Sequence, residues 1–89
     1  MRILLIEDDL IAARGISLML KSNGAVVDHA DTGEEGLELS KHYDYDIVIL
    51  DLMLPDIDGL VLCSLLKSIA NVPIVICSAS GRRDRKSVV

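Results

Sequence analysis

The sequence predicts an α/β domain built on a parallel β-sheet, and three observations predict it. Short continuous runs of β-branched and aliphatic residues, Ile3 to Ile6, Ile47 to Leu50 and Ile74 to Cys77, read as strands buried on both faces. Longer stretches with helical apolar spacing separate those runs. These stretches open at side chains suited to capping a helix.

Ile3 to Ile6, just after Met1-Arg2, is the first strand. The first helix runs from about Leu10 to Ser22, with Asp8 or Asp9 as N-cap, and stops at Asn23-Gly24, a favoured left-handed terminus. Ala25 to Ala30 is a weaker strand, and its polar Asp28 and His29 suit the edge of a sheet. The second helix opens at Thr32-Gly33-Glu34-Glu35, the spacing of a capping box in which the Thr32 hydroxyl and the Glu35 carboxylate satisfy each other's amides. Ile47 to Leu50 is the third strand, with Tyr43 and Tyr45 bordering its entry and no stacking arrangement expected of them. The third helix begins after Asp58-Gly59, sets Leu62, Leu65, Leu66 and Ile69 on one face, and cannot pass Pro73. Ile74 to Cys77 is the fourth strand. Beyond it Ser80 to Lys86 is polar and basic, and Ser87-Val88-Val89 reads as the first turn of a further helix. Strands alternating with helices imply right-handed crossovers and a parallel sheet.

A length of 89 residues with 51% hydrophobic content fits one packed domain, residues 1–89, and excludes a disordered segment. The formal net charge of −5 disfavours direct nucleic acid contact, which needs clustered Lys and Arg. Arg82, Arg83, Arg85 and Lys86 are interrupted by Asp84 and lack aromatic neighbours, so they read as a solvated helix start. No apolar run nears the roughly 20 residues that span a membrane. Cys63 and Cys77 sit in apolar runs without metal or redox spacing, which predicts buried thiols and a cytoplasmic location.

Parallel sheets bind ligands beyond the carboxyl ends of their strands. That rule places Glu7, Asp8 and Asp9 after the first strand, Asp51 after the third and Ser78 after the fourth. Converging carboxylates repel one another unless a cation offsets them. An all-oxygen set suits Mg²⁺, and neither His29 nor His42 is expected near the acids. Each acid alone reads as a cap or turn residue, but several at one sheet edge read as a site.

Three motifs carry a family resemblance: Ile3-Leu4-Leu5-Ile6-Glu7-Asp8-Asp9, the run from Asp46 through Asp51 and Pro55 to Gly59, and Pro73-Ile74-Val75-Ile76-Cys77-Ser78-Ala79. The chain resembles the receiver domain of bacterial two-component response regulators. More narrowly, Leu18-Met19-Leu20-Lys21-Ser22, Gly33-Glu34-Glu35-Gly36-Leu37 and Tyr43-Asp44-Tyr45-Asp46 resemble the alphaproteobacterial cell-cycle transcription regulators. The resemblance implies a three-layer, flavodoxin-like (CheY-like) fold, strand order 2-1-3-4, with the fifth strand and helix absent. It makes Asp51 the phosphoacceptor for a sensor histidine kinase or histidine phosphotransfer protein. Asp8, Asp51 and the Met53 backbone carbonyl would ligate Mg²⁺ directly and Glu7 through water. Ser78 would be the switch hydroxyl, the Ala79 backbone N–H a further donor, and Pro55 and Gly59 would shape the loop after the acceptor. The resemblance implies a domain that catalyses only its own phosphorylation and dephosphorylation, a signalling module rather than an enzyme acting on a separate substrate.

The family continues with a fourth helix, a fifth strand ending in Lys-Pro and a fifth helix. The phosphoryl-contacting Lys is therefore expected to be missing, and losing one such contact costs on the order of 10²-fold in rate. Without a fifth strand, Ile74 to Cys77 is an open edge that invites a homodimer or a strand-swapped dimer. The reading preferred over an uncovered edge is that the chain is a piece of a longer protein. A receiver-like adaptor that has lost turnover is the alternative function, favoured by the absent Lys and opposed by the intact acids. A small phosphohydrolase is disfavoured because Asp51-Leu52-Met53 lacks a second acid two positions on.

Overall fold

The computed structural model describes residues 1–77. Ser78, Ala79, the basic stretch and the expected start of a fourth helix lie outside the described residues. The elements follow the expected order: β1 (Arg2–Ile6), α1 (Leu10–Ser22), β2 (Val26–Ala30), α2 (Gly33–His42), β3 (Ile47–Asp51), α3 (Gly59–Ile69) and β4 (Ile74–Cys77). The strands are parallel in the order β2-β1-β3-β4. The chain steps from β1 outward to β2 and then crosses back past β1 to β3. Right-handed crossovers in opposite directions put α1 on one face and α2 and α3 on the other, giving the expected three layers.

Side chains of a strand alternate between faces, so β1 serves both layers. Leu4 and Ile6, with Val48 and Leu50 of β3, pack on Leu62 and Leu66 of α3, and all six are fully buried. Ile3 and Leu5 point the other way, towards the layer in which Ala13 is the buried residue of α1. Burying one Leu or Ile side chain contributes about 1.5–3 kcal/mol, so this small set carries much of the fold's stability.

The helix ends show why the sequence breaks where it does. Asp9, not Asp8, caps α1: its Oδ1 accepts from the Ile11 and Ala12 amides at 3.0 and 3.2 Å. The chain then turns at Gly24, whose φ of 90° is a left-handed conformation that a side chain would strain. Thr32 caps α2 by accepting from the Glu35 amide at 3.1 Å, but Glu35 Oε1 accepts from the Asp31 amide rather than from that of Thr32. The capping box is thus displaced by one residue. Asp58 caps α3, accepting from Leu60 and Val61, and α3 ends at Ile69, ahead of Pro73.

Burial departs from expectation at three places. Only the Leu62 and Leu66 stripe of α3 is buried, while Leu65 and Ile69 at its flank are 41% and 39% exposed. β4 was expected to be buried on both faces, yet Val75 and Ile76 are exposed, because β4 is the edge of the four-strand sheet among the described residues. Cys63 and Cys77 are free and half-buried rather than buried, on α3 and at the end of that edge strand. Among the described residues, no helix is long and apolar enough to cross a membrane.

At the amino end of the sheet, away from the acids, Arg2 joins β1, β2 and the β3 entry. Its guanidinium bonds Asp28 at 2.9 and 3.0 Å and lies 4.2 Å from the Tyr43 ring centroid. Tyr43 and Tyr45 meet edge to face at 6.4 Å, and the Tyr45 hydroxyl donates to Asp28 at 2.7 Å. The tyrosines border the β3 entry as expected and meet edge to face rather than stacked, while Asp28 of β2 reaches Tyr45 because β2 and β3 flank the same strand. The Tyr45 hydroxyl and then Arg2 hold the Asp28 carboxyl below its ordinary value.

Gly15 lies within α1, with nothing within 4 Å of the position a Cβ would occupy. Gly15→Ala is expected to stabilise the chain by roughly 0.5–1 kcal/mol, the helix-propensity difference, as an increase in the urea midpoint with unchanged slope.

Candidate functional site

The site lies where β1 and β3 end side by side. Parallel pairing of Ile6 with Leu50 brings the residues just after each, Glu7 and Asp51, to one sheet edge. Asp51 is the last residue of β3 and is 2% exposed, and Glu7 is 1% exposed. Carboxylate oxygens of Glu7, Asp8 and Asp51 all lie within 4.8 Å of one another. Asp9, expected in the cluster, is drawn off to cap α1.

Asp51 and Glu7 are held by local backbone. The Met53 amide donates to Asp51 Oδ1 at 3.1 Å, which folds the loop after β3 back over the carboxylate. The Asp9 amide donates to Glu7 Oε2 at 3.0 Å. Glu7 Oε1 and Asp8 Oδ1 are buried and have no hydrogen-bond partner among the described residues. A buried acceptor without a partner costs about 1–3 kcal/mol, and more when charged. Burial, reinforced by Asp51 and Asp8 and opposed by the Asp9 amide, pushes the Glu7 carboxyl up to about 7.

A cation would satisfy both orphaned oxygens and remove the repulsion together. Three hard carboxylate oxygens, with no nitrogen or sulfur donor in the cluster among the described residues, fit Mg²⁺. The Met53 side chain is exposed, and its backbone is the part turned to account at the site.

His29 reaches the main chain of Glu7, its Nε2 2.7 Å from the Glu7 carbonyl oxygen, whereas the clustered ligand atoms are those of Glu7, Asp8 and Asp51. The parallel pairing of Ile6 with Ala30 brings it there, a relation visible only once the strand order is known. His42 lies at the end of α2, near Glu38, as expected of a surface residue. Cys77 pairs in register with Asp51, so Ser78 follows directly after Asp51's partner in the chain.

The family model for the response regulator receiver domain matches residues 3–89. The chain is 53% identical over 87 residues to the cell cycle transcriptional regulator CtrA of Caulobacter vibrioides and 54% identical to the cell cycle response regulator CtrA of Brucella ovis. Those matches cover 97% and 96% of this chain, which spans 38% of the length of each relative. Among solved structures, a CheY-like receiver domain protein from Methanospirillum hungatei superposes with a TM-score of 0.83 at 25% identity, covering 84% of this chain and 61% of that one. The response regulator TrrA of Thermotoga maritima, solved in complex with Mg²⁺-BeF, superposes with a TM-score of 0.80 at 30% identity, covering 84% and 66%. With its sheet order, its acidic edge and these likenesses, the chain belongs to the response regulator receiver domain family.

Proposed function

We propose that this chain is the phosphoacceptor receiver, residues 1–89, of a two-component signal transduction system. Asp51 takes a phosphoryl group from a sensor histidine kinase or phosphotransfer protein and so controls an output, transcription regulation, carried by sequence outside this chain. The observation that carries the reading is the pair of orphaned buried oxygens, Glu7 Oε1 and Asp8 Oδ1, beside the buried Asp51. Such an arrangement is costly for an adaptor with no use for a cation.

Glu7, Asp8, Asp51 and the Met53 carbonyl would hold Mg²⁺. The ion would supply positive charge against the transferring phosphoryl group, a reading supported by the likeness to TrrA, which was solved in complex with Mg²⁺-BeF. An Asp51 carboxylate oxygen attacks phosphorus, the bond to the donor imidazole nitrogen or acyl oxygen breaks, and the donor leaves with that electron pair. The Met53 amide on Oδ1 fixes which carboxylate oxygen is presented. Ser78 and the Ala79 amide, next in sequence after Cys77, are assigned to contact the added phosphoryl oxygens, relaying the new charge to the surface.

Acetyl phosphate and Mg²⁺ are expected to add the mass of one phosphoryl group, and Asp51→Asn to abolish the gain in intact-mass spectrometry. No gain in a folded chain that binds Mg²⁺ would favour the adaptor reading instead.

A further inference from the structure

The loop of residues 52–58, between β3 and α3, carries a carboxylate that none of the proposed chemistry uses. Asp56 Oδ1 accepts from the Gly33 amide and its Oδ2 from the Glu34 amide, each at 2.9 Å and across 23 and 22 residues of chain. The first four amides of a helix have no partner within it. In α2 the Thr32 hydroxyl takes that of Glu35, and regular helical bonding begins with the Gly36 amide on the Thr32 carbonyl, each at 3.1 Å. Those of Gly33 and Glu34 go to Asp56. The Gly33 amide first, with that of Glu34, holds the Asp56 carboxyl below its ordinary value, in keeping with an anion at the positive end of a helix. Ile57 packs beside the same turn, with its Cβ 3.2 Å from where a Gly33 Cβ would stand.

The loop's other ties lead back to the elements it joins. The Met53 amide bonds Asp51 at the end of β3, and Asp58 caps α3. Asp56 adds a third element, α2, which packs against α3 as well as against β1 and β2. Glu7 and Asp8 follow β1, whereas Asp51 and Met53 belong to β3 and the loop. The tie to α2 therefore fixes the loop half of the acidic site relative to the β1 half.

We propose that Asp56 is a positioning residue for the acidic site: by tethering the β3–α3 loop to the N-terminus of α2 it sets the path of the chain leaving Asp51, and with it the Met53 backbone offered to Mg²⁺. This rests on the reading of Glu7, Asp8 and Asp51 as a Mg²⁺ site. Because binding and loop position are coupled, Mg²⁺ in turn reaches the Gly33 and Glu34 amides through the same two hydrogen bonds.

The test is a Mg²⁺ titration of the ¹⁵N-labelled 89-residue chain, followed by amide shifts, for the unaltered protein and for Asp56→Ala, Asp56→Asn and Thr32→Ala. In the unaltered chain the Gly33 and Glu34 amides are expected to shift with the same midpoint as Met53. Asp56→Ala is expected to weaken Mg²⁺ binding about tenfold, the low end for loss of a ligand's supporting contact, and to uncouple those two amides. Asp56→Asn, with one accepting oxygen left, falls between. Thr32→Ala weakens the helix start without touching the loop and keeps the unaltered affinity. Unaltered affinity in both Asp56 variants, or equal weakening in Thr32→Ala, overturns the proposal. If Asp56→Ala loses amide dispersion, Asp56→Asn decides by the same criterion. An unaltered chain that does not respond to Mg²⁺ overturns the metal-site reading itself, a result distinct from any failure of Asp56.

Discussion

Without divalent cations, the chain should lose stability as pH rises from about 5 to about 8, and Glu7→Gln should remove most of that slope. Folding moves the Glu7 carboxyl from its ordinary 4.5 to about 7, chiefly through burial. Below the lower value Glu7 is protonated in both folded and unfolded chains and contributes no difference. Between the two values the folded chain keeps a proton that the unfolded chain has released, so stability falls with rising pH. Above the upper value the full penalty stands, on the order of 3 kcal/mol at one pKa unit per 1.36 kcal/mol. Asp28 and Asp56 are shifted the other way, and the stability they add is lost as pH falls through the acid range. Stability without metal should therefore peak in mildly acid solution. Glu7→Gln leaves the acid limb in place and flattens the neutral one. Mg²⁺ at 100 times its dissociation constant should restore about 2.7 kcal/mol at pH 8 to the unaltered chain and much less to Glu7→Gln. Thermal melts across pH, with Mg²⁺ and with chelator, measure both effects. A Glu7→Gln chain whose melting temperature keeps the original pH slope would count against a repelling, cation-seeking cluster.

What could be read from the sequence was whatever depends on neighbours along the chain. Runs such as Ile3 to Ile6 announce buried parallel strands, and Asn23-Gly24 and Asp58-Gly59 announce helix ends through local backbone chemistry. The acids after β1 and β3 were legible as a group because the carboxyl-end rule needs only strand direction. What stayed hidden depends on lateral packing. Asp8 and Asp9 are equally good caps by sequence, and only the direction in which α1 leaves the sheet sends Asp9 to the cap and Asp8 to the cluster. His29 reaches the Glu7 carbonyl through a strand pairing, and Asp56 reaches α2 across 22 residues; neither leaves a local signature. Leu65 and Ile69 share the apolar spacing of Leu62 and Leu66, yet the sheet covers only part of that arc.

Gly59→Ala is expected to destabilise the chain by about 1–3 kcal/mol and to weaken Mg²⁺ binding as well, although the same exchange at Gly15 is expected to stabilise. At Gly59, the first residue of α3, a Cβ would collide with Leu52 Cα and stand 2.8 Å from the Leu52 carbonyl oxygen. Those atoms are backbone, so no side-chain rotation relieves the overlap. The propensity gain from replacing glycine in a helix is at most about 1 kcal/mol, too small to offset a forced backbone shift. Leu52 directly follows Asp51, and Met53, whose amide holds Asp51 Oδ1, comes next. Whatever relieves the overlap must therefore move the loop half of the acidic site. A urea titration and a Mg²⁺ titration on the same sample read the two effects together. Loss of stability with unchanged Mg²⁺ affinity would show that the overlap is absorbed within α3, and that the close approach of Gly59 to Leu52 does not hold the loop at the site.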